Sequence, residues 1–321
     1  MKTAGRGPLE ALRSGGKRAM AMALARAEGA PGEPHTLALL DAAHGGTRAH
    51  VVGITGPPGV GKSSLIAQLI KTWRDQGRTV GVIAIDPSSQ RSGGALLGDR
   101  ARIETDPEDQ GVFVRSMAAR GRLGGLAPFS QAAVVLMRAV YDVVIVETVG
   151  VGQSEAEIAS VSDTVVLCIQ PASGDSLQYM KAGIVELPDV AVVTKSDLGR
   201  PARRARSDLE AGLALAARAP TGWPVAVVMV SCVDGSGIDE LMRTVAEHAA
   251  WLGAEERLER LRHRQAEAWL AAAVREEFGS FGLQRAGRLE DGLTLAPGEA
   301  PFRRLRRLMR ALRLQSADAF S

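Results

Sequence analysis

A chain of 321 residues with 45% apolar content is long enough to bury a substantial core, and its two cysteines, Cys168 and Cys232, argue against a disulfide framework or a multi-cysteine metal site. Lys and Arg number 39 against 36 acids, and the resulting net charge of +3 gives no reason to expect nucleic acid as a partner. No apolar run approaches the ~18 residues of a membrane span. The Ala-rich stretch near Met20 is broken by Arg26 and Glu28, so it reads as a helix and not a signal peptide, and the cytoplasm is the expected compartment with no membrane partner.

Residues 8 to 44 read as mainly helical, with Leu9, Leu12, Met20, Met22 and Leu24 along the Ala-rich segment. The run from Gly29 to Pro34 is a turn before a second helix around Thr36 to Ala43. From 48 to 248 short β-branched runs alternate with helical segments, and strands are expected at 50–55, 80–85, 112–115, 143–147, 164–169, 190–194 and 225–230. Several are apolar throughout, as in strands covered on both faces of a parallel sheet. The alternation predicts an α/β, doubly wound, mostly parallel sheet with its ligand at the strand C-terminal ends. Beyond His248 the chain turns charged and helical, with Trp251, Leu258, Leu261, Trp269 and Leu270 at packing spacings. Near its end Arg303 to Arg310 is basic, but Leu305, Leu308, Met309 and Leu312 share one helical face, which favours a packed helix in an oligomer or partner contact over an RNA or membrane patch. Three regions result: an N-terminal helical extension (1–47), an alternating α/β domain (48–248) and a C-terminal helical region suited to an oligomer contact (249–321).

The first strand runs into Gly56-Pro57-Pro58-Gly59-Val60-Gly61-Lys62-Ser63, followed by Ser64 and a helical pattern in Leu65, Ile66, Leu69 and Ile70. This is G-x-x-x-x-G-K-[ST] between a strand and a helix, the context in which backbone N–H groups cradle phosphates. Lys62 places a point charge against the β- and γ-phosphates, and the Ser63 hydroxyl is a ligand for Mg²⁺. The strand Val143 to Val146 ends in Glu147, an acid placed to hold the magnesium shell, with Gly150 three residues on as a γ-phosphate sensor.

Val192-Val193-Thr194-Lys195-Ser196-Asp197 resembles the guanine-reading [NT]KxD element. Asp197 accepts from guanine N1–H and the exocyclic amine, whereas adenine offers an acceptor at N1 and no such amine. The Lys195 stem lies along the base plane. Thr194 stands where most GTPases carry Asn, and the exchange is expected to remove an amide tether to the phosphate loop and to weaken affinity. After the last strand, Ser231-Cys232-Val233 begins a stretch, through Gly235 and Gly237 to Leu241, that resembles the SAxxGxGIxxL element whose N–H groups meet guanine O6. The predicted nucleotide is GTP, and GDP after hydrolysis.

Two longer strings narrow the class. They are Asp86-Pro87-Ser88-Ser89 through Ser92-Gly93-Gly94-Ala95-Leu96-Leu97-Gly98-Asp99-Arg100, and Glu147-Thr148-Val149-Gly150-Val151-Gly152-Gln153-Ser154-Glu155. With Arg115-Ser116 and Gly124-Gly125-Leu126 they resemble the MeaB/ArgK branch of the metallochaperone-type P-loop GTPases, over residues 15 to 250. The resemblance implies a GTPase chaperone of an adenosylcobalamin-dependent acyl-CoA mutase such as methylmalonyl-CoA mutase, working as a homodimer. It places the Mg²⁺ environment on Ser63, Asp86, Asp99 and Glu147, and switches on 88–98, 149–155 and 171–183. Val151 occupies the place of the water-orienting Gln of many GTPases, which predicts slow hydrolysis that a partner accelerates, with Gln153 and Lys181 as the chain's own candidates for the polar group. The nearest alternative is a nickel-type metal-insertion GTPase, but Cys168, Cys232, His35, His44, His50, His248 and His263 are scattered through the sequence. No residue pattern supports the remaining alternative, a protein kinase of an amino-acid transport system.

Overall fold

All seven apolar runs become strands of one sheet. The computed structural model describes residues 7–87, 105–119, 128–148, 157–171, 188–215, 222–289 and 292–318. The strands are β1 (His50–Thr55), β2 (Val80–Pro87), β3 (Val112–Ala119), β4 (Val143–Thr148), β5 (Thr164–Ile169), β6 (Val190–Val193) and β7 (Ala226–Met229). They lie in the order β3-β2-β4-β1-β5-β6-β7, and every pairing is parallel. This is the α/β sheet that the alternation predicts, with the reversal of strand order beside β1 placing the ligand crevice at the end of that strand.

Side-chain alternation divides the strand residues between two cores. Val52, Ile54, Val166, Cys168, Val190, Val192 and Val228 share one core with Leu65, Ile66, Leu69, Ile70 and Trp73 of α4 (Lys62–Asp75) and with Ile238, Leu241 and Val245 of α7 (Ile238–Gly253). Leu167, Ile169, Ala191 and Val193 face the other way, onto Ala202, Ala205 and Leu209 of α6 (Arg200–Leu215). Both sides of the central strands are therefore dry, which is why they read as continuous apolar runs.

The chain divides into two compact units, the sheet unit (49–127 and 141–255) and a helical unit drawn from 1–48, 128–140 and 256–321. In the helical unit the N-terminal segment is two helices and not one: α1 (Pro8–Ser14) and α2 (Gly16–Gly29) part at Gly16, φ +61°, before α3 (Pro34–Gly45). Arg13 joins this segment to the end of α5 (Pro128–Arg138), donating to the Ala139 and Gly46 carbonyls at 2.9 and 2.7 Å. The C-terminal part pairs α8 (Arg257–Ala286), interrupted at Gly279, with α9 (Pro301–Asp318). Leu308 and Leu312 are buried against Ala266, Leu270 and Val274, with Leu305 packed beside them, so the apolar face of the basic helix is a packing face. Arg304 within it is buried and donates twice to Glu299, both bonds at 2.8 Å.

A polar chain crosses the N-terminal ends of β1 and β5. The Thr164 hydroxyl lies 2.7 Å from His50 Nε2 and 2.7 Å from His248 Nδ1. His248 Nε2 faces Asp189 Oδ1 at 3.5 Å, and His50 Nδ1 faces Asp163 Oδ2 at 3.7 Å. Both carboxylates also close the sheet, accepting from Val51 N–H at 2.7 Å (Asp163) and from Val165 N–H at 2.8 Å (Asp189). The His248 ring packs in a triangle with Trp223 and Trp251, its centroid 4.8 and 5.6 Å from theirs and the two indoles 5.7 Å apart. Burial lowers His248 from 6.5 to about 4 and raises Asp189 from 3.8 to about 6.

Candidate functional site

The site forms where β1, β4, β5, β6 and β7 end. Leaving β1, the chain turns at Gly56 (φ +142°), where a Cβ would lie 2.2 Å from the Cys168 carbonyl oxygen, so only glycine fits this approach to β5. Val60 is fully buried and anchors the loop, while Pro58, Gly59 and Ser64 are exposed. Gly61 (φ +100°) is the N-cap of α4, so the backbone N–H groups of a helix start line the loop. The Lys62 ammonium is buried and donates to the Gly56 and Pro57 carbonyls at 2.7 and 3.0 Å, across the mouth of the loop. The Ser63 hydroxyl points at Glu147 Oε1, 3.4 Å away at the end of β4, and Thr148 Oγ1 donates to Thr55 Oγ1 at 3.1 Å. Asp86 stands near the end of β2, in register with Ala118. Asp99, Gln153, Lys181 and the three expected switches, apart from Pro171, lie outside the described residues.

The second half of the site follows β6. Thr194 is buried, and its hydroxyl is 2.7 Å from the Val60 carbonyl and 3.0 Å from the Ile169 carbonyl, while its N–H donates to Ile169 O at 2.9 Å. The amide tether expected to be lost at this position is replaced: the Thr194 hydroxyl itself reaches the phosphate loop at Val60. Lys195 has φ +53°, and its ammonium donates to the Gly59 carbonyl at 3.1 Å and to Gln170 Oε1 at 2.6 Å. Asp197 accepts from the fully buried Ser231 hydroxyl at 2.8 Å. In the following turn Val233 N–H donates to Ser231 Oγ at 3.2 Å and Ser231 N–H to Ser236 O at 2.9 Å. The Cys232 thiol is half-buried and pushed up by burial and by the Asp197 carboxylate.

The structure thus brings Gly56 to Ser63, Glu147, Thr194, Lys195, Asp197 and Ser231 to one edge of the sheet. Sequence reading missed Gln170, whose only signal is a polar residue directly after the apolar strand 164–169. It also missed the meeting of His50, Thr164 and His248. Among the described residues no group of three His, Cys, Asp or Glu side chains is spaced to hold a metal, and no helix is long and apolar enough to cross a membrane.

A parallel sheet with a lysine-bearing phosphate loop after β1 and an acid at the end of its neighbour β4 defines a P-loop nucleoside triphosphatase. Comparison with known proteins takes this further. The family described as methylmalonyl Co-A mutase-associated GTPase MeaB matches residues 18–283. A Pyrococcus abyssi protein named as a GTPase is 45% identical over 228 residues, which span 70% of this chain and 70% of that one. The mitochondrial methylmalonic aciduria type A homolog of Mus musculus is 40% identical over 228 residues, 70% of this chain and 55% of that one. A crystal structure described as a LAO/AO transport system kinase is 28% identical, covers 97% of this chain and 96% of that one, and superposes with a TM-score of 0.67. The chain belongs to the MeaB family of P-loop GTPases. It binds guanine nucleotide and hydrolyses GTP.

Proposed function

We propose that this GTPase is a homodimeric chaperone whose nucleotide state gates adenosylcobalamin loading or protection in an acyl-CoA mutase. The name of the matching family supports a mutase as partner. The observation that carries the guanine reading is the Ser231 hydroxyl on Asp197 Oδ1, 2.8 Å away. A carboxylate held on one side by that donor is oriented in advance for the paired donors of guanine, and Cys232 N–H stands in the same turn as a donor for O6.

Mg²⁺ suits this site, because Ser63 Oγ and Glu147 Oε1 are hard oxygen donors turned toward one another. Asp86 and Asp99 complete the proposed set. Bound there, the ion supplies charge neutralisation at the β- and γ-phosphate oxygens. Lys62 adds a fixed positive charge to the same phosphates, and the helix start orients them. Val151 leaves the attacking water without a side chain to orient it, so intrinsic hydrolysis is slow, with Gln153 and Lys181 the residues a partner repositions.

The test joins two measurements. Asp197→Asn should move preference from GTP to xanthosine triphosphate, because the hydrogen-bond polarity at the base edge is inverted. GTP turnover of the unaltered protein should rise on titration with a cobalamin-dependent acyl-CoA mutase. A rate that stays flat to saturation removes the gating claim, and an Asp197→Asn protein that stays folded but keeps its preference for GTP removes the base-reading claim.

A further inference from the structure

The last residues of β5 and the one that follows touch both nucleotide loops. The Cys168 carbonyl backs Gly56, the Ile169 carbonyl receives the Thr194 N–H at 2.9 Å, and Gln170 Oε1 receives the Lys195 ammonium at 2.6 Å. The same ammonium reaches the Gly59 carbonyl at 3.1 Å. Lys195 is exposed, and an exposed lysine ordinarily samples many rotamers. Here its stem is fixed at both ends, by a left-handed backbone at φ +53° and by two oxygen acceptors from different elements.

We propose that Gln170 is a positioning residue for guanine-nucleotide binding. It holds the Lys195 ammonium against the phosphate loop, so that the aliphatic stem lies along the base plane before the nucleotide arrives. The proposal rests on the base-reading role of Lys195 and Asp197 given above. A neutral amide oxygen suits this role, because it accepts from the ammonium and leaves the positive charge in place beside an anionic ligand. An apolar residue at 170 would leave the ammonium to Gly59 alone, and each nucleotide would have to order the stem as it binds. Lys195 and Gln170 belong to the base side of the site, not to the γ-phosphate side. The effect therefore falls equally on GDP and GTP, and on KM and not on kcat.

The experiment is a titration of the full-length protein with N-methylanthraniloyl-GDP and its GTP counterpart. It compares Gln170→Leu, Gln170→Glu, Lys195→Met and the Lys195→Met/Gln170→Leu double variant, with steady-state GTP turnover alongside. Gln170→Leu should weaken both nucleotides about 2- to 10-fold, the range of one ordinary net hydrogen bond in a water-exposed pair, and raise KM by the same factor. Gln170→Glu, which keeps an acceptor but cancels the positive charge, should recover part of the loss and stay below the parent. In the Lys195→Met background the leucine should add nothing. Equal loss in both backgrounds would mean that Gln170 only supports the fold, and unchanged affinity in Gln170→Leu would end the proposal outright. Asp197→Asn separates the two claims. If it switches to xanthosine nucleotides while Gln170→Leu is silent, only the positioning role falls. If it does not switch, the base reading falls and the positioning role with it.

Discussion

The Thr194 hydroxyl donates to the Val60 carbonyl over 2.7 Å, so the turn after β6 and the phosphate loop are one hydrogen-bonded body. Replacing Thr194 by Val keeps the shape and removes the donor, leaving the buried Val60 oxygen short of a partner. The expected cost is about 1–2 kcal/mol, split between fold stability and nucleotide affinity, and Thr194→Ser should recover most of it. Thermal unfolding and GDP titration of the two variants check this. A valine variant with unaltered GDP affinity and unaltered Tm would show that the tether contributes nothing.

Two glycines of the turn before α7 separate steric from conformational cost. Gly235 and Gly237 have nearly the same φ, +77° and +78°. A Cβ on Gly237 would lie 1.9 Å from the Met229 carbonyl oxygen, whereas nothing stands within 4 Å of one on Gly235. Gly235→Ala should cost ~1 kcal/mol, the left-handed penalty alone. Gly237→Ala should cost ~3 kcal/mol or more, because strand backbone has to move as well. Chemical denaturation of the pair reads the difference directly.

In the helical unit His44 carries a pH dependence of known sign. Burial, with Arg138, Arg262 and His263 acting in the same direction, lowers it from 6.5 to about 4. Arg138 Nη2 lies 3.2 Å from His44 Nδ1, a contact that requires the neutral ring. A depressed folded pKa gives stability that is full above pH 6.5 and is lost as the pH falls toward 4. Between pH 7.5 and 4.5 the loss attributable to His44 is about 2–3 kcal/mol. His44→Gln, which keeps an acceptor for Arg138, should shrink the measured fall in unfolding free energy by roughly that amount.

Asp189 and His248 work in opposite senses. Asp189, raised to about 6, gives stability that is full below 3.8 and is lost as the pH rises through 6. His248, lowered to about 4, gives stability that is full above 6.5 and is lost as the pH falls through 4. Across pH 4 to 6 the two slopes oppose one another. Asp189→Asn removes the falling limb, so the stability of that variant should climb more steeply with pH over this window than that of the parent. A parallel pair of curves would mean that Asp189 is ionised throughout.

Much of this was legible in the chain because the chemistry is local. A phosphate loop is eight consecutive residues, and a strand buried on both faces is one apolar run, so Gly56 to Ser63 and all seven strands were placed from pattern alone. Contacts between distant positions leave no such record. Nothing in the surroundings of His50, Thr164 or His248 marks them as partners, and Gln170 reads as an ordinary loop residue. The break at Gly16 had a signal in Ser14-Gly15-Gly16, which the helical pattern around it outweighed. At Thr194 the substitution was visible but its consequence was not, since whether the hydroxyl meets the Val60 carbonyl depends on two segments 134 residues apart.

The six residues of β1 join the imidazole of His50 to the turn at Gly56, a separation of roughly 20 Å at the usual strand rise. One end of that strand carries an imidazole and the other the phosphate loop. His50 and His248 are therefore natural reporters: their ring resonances, too remote for direct contact with nucleotide, are placed to register any shift of the strand that GTP binding imposes, with no label added to the protein.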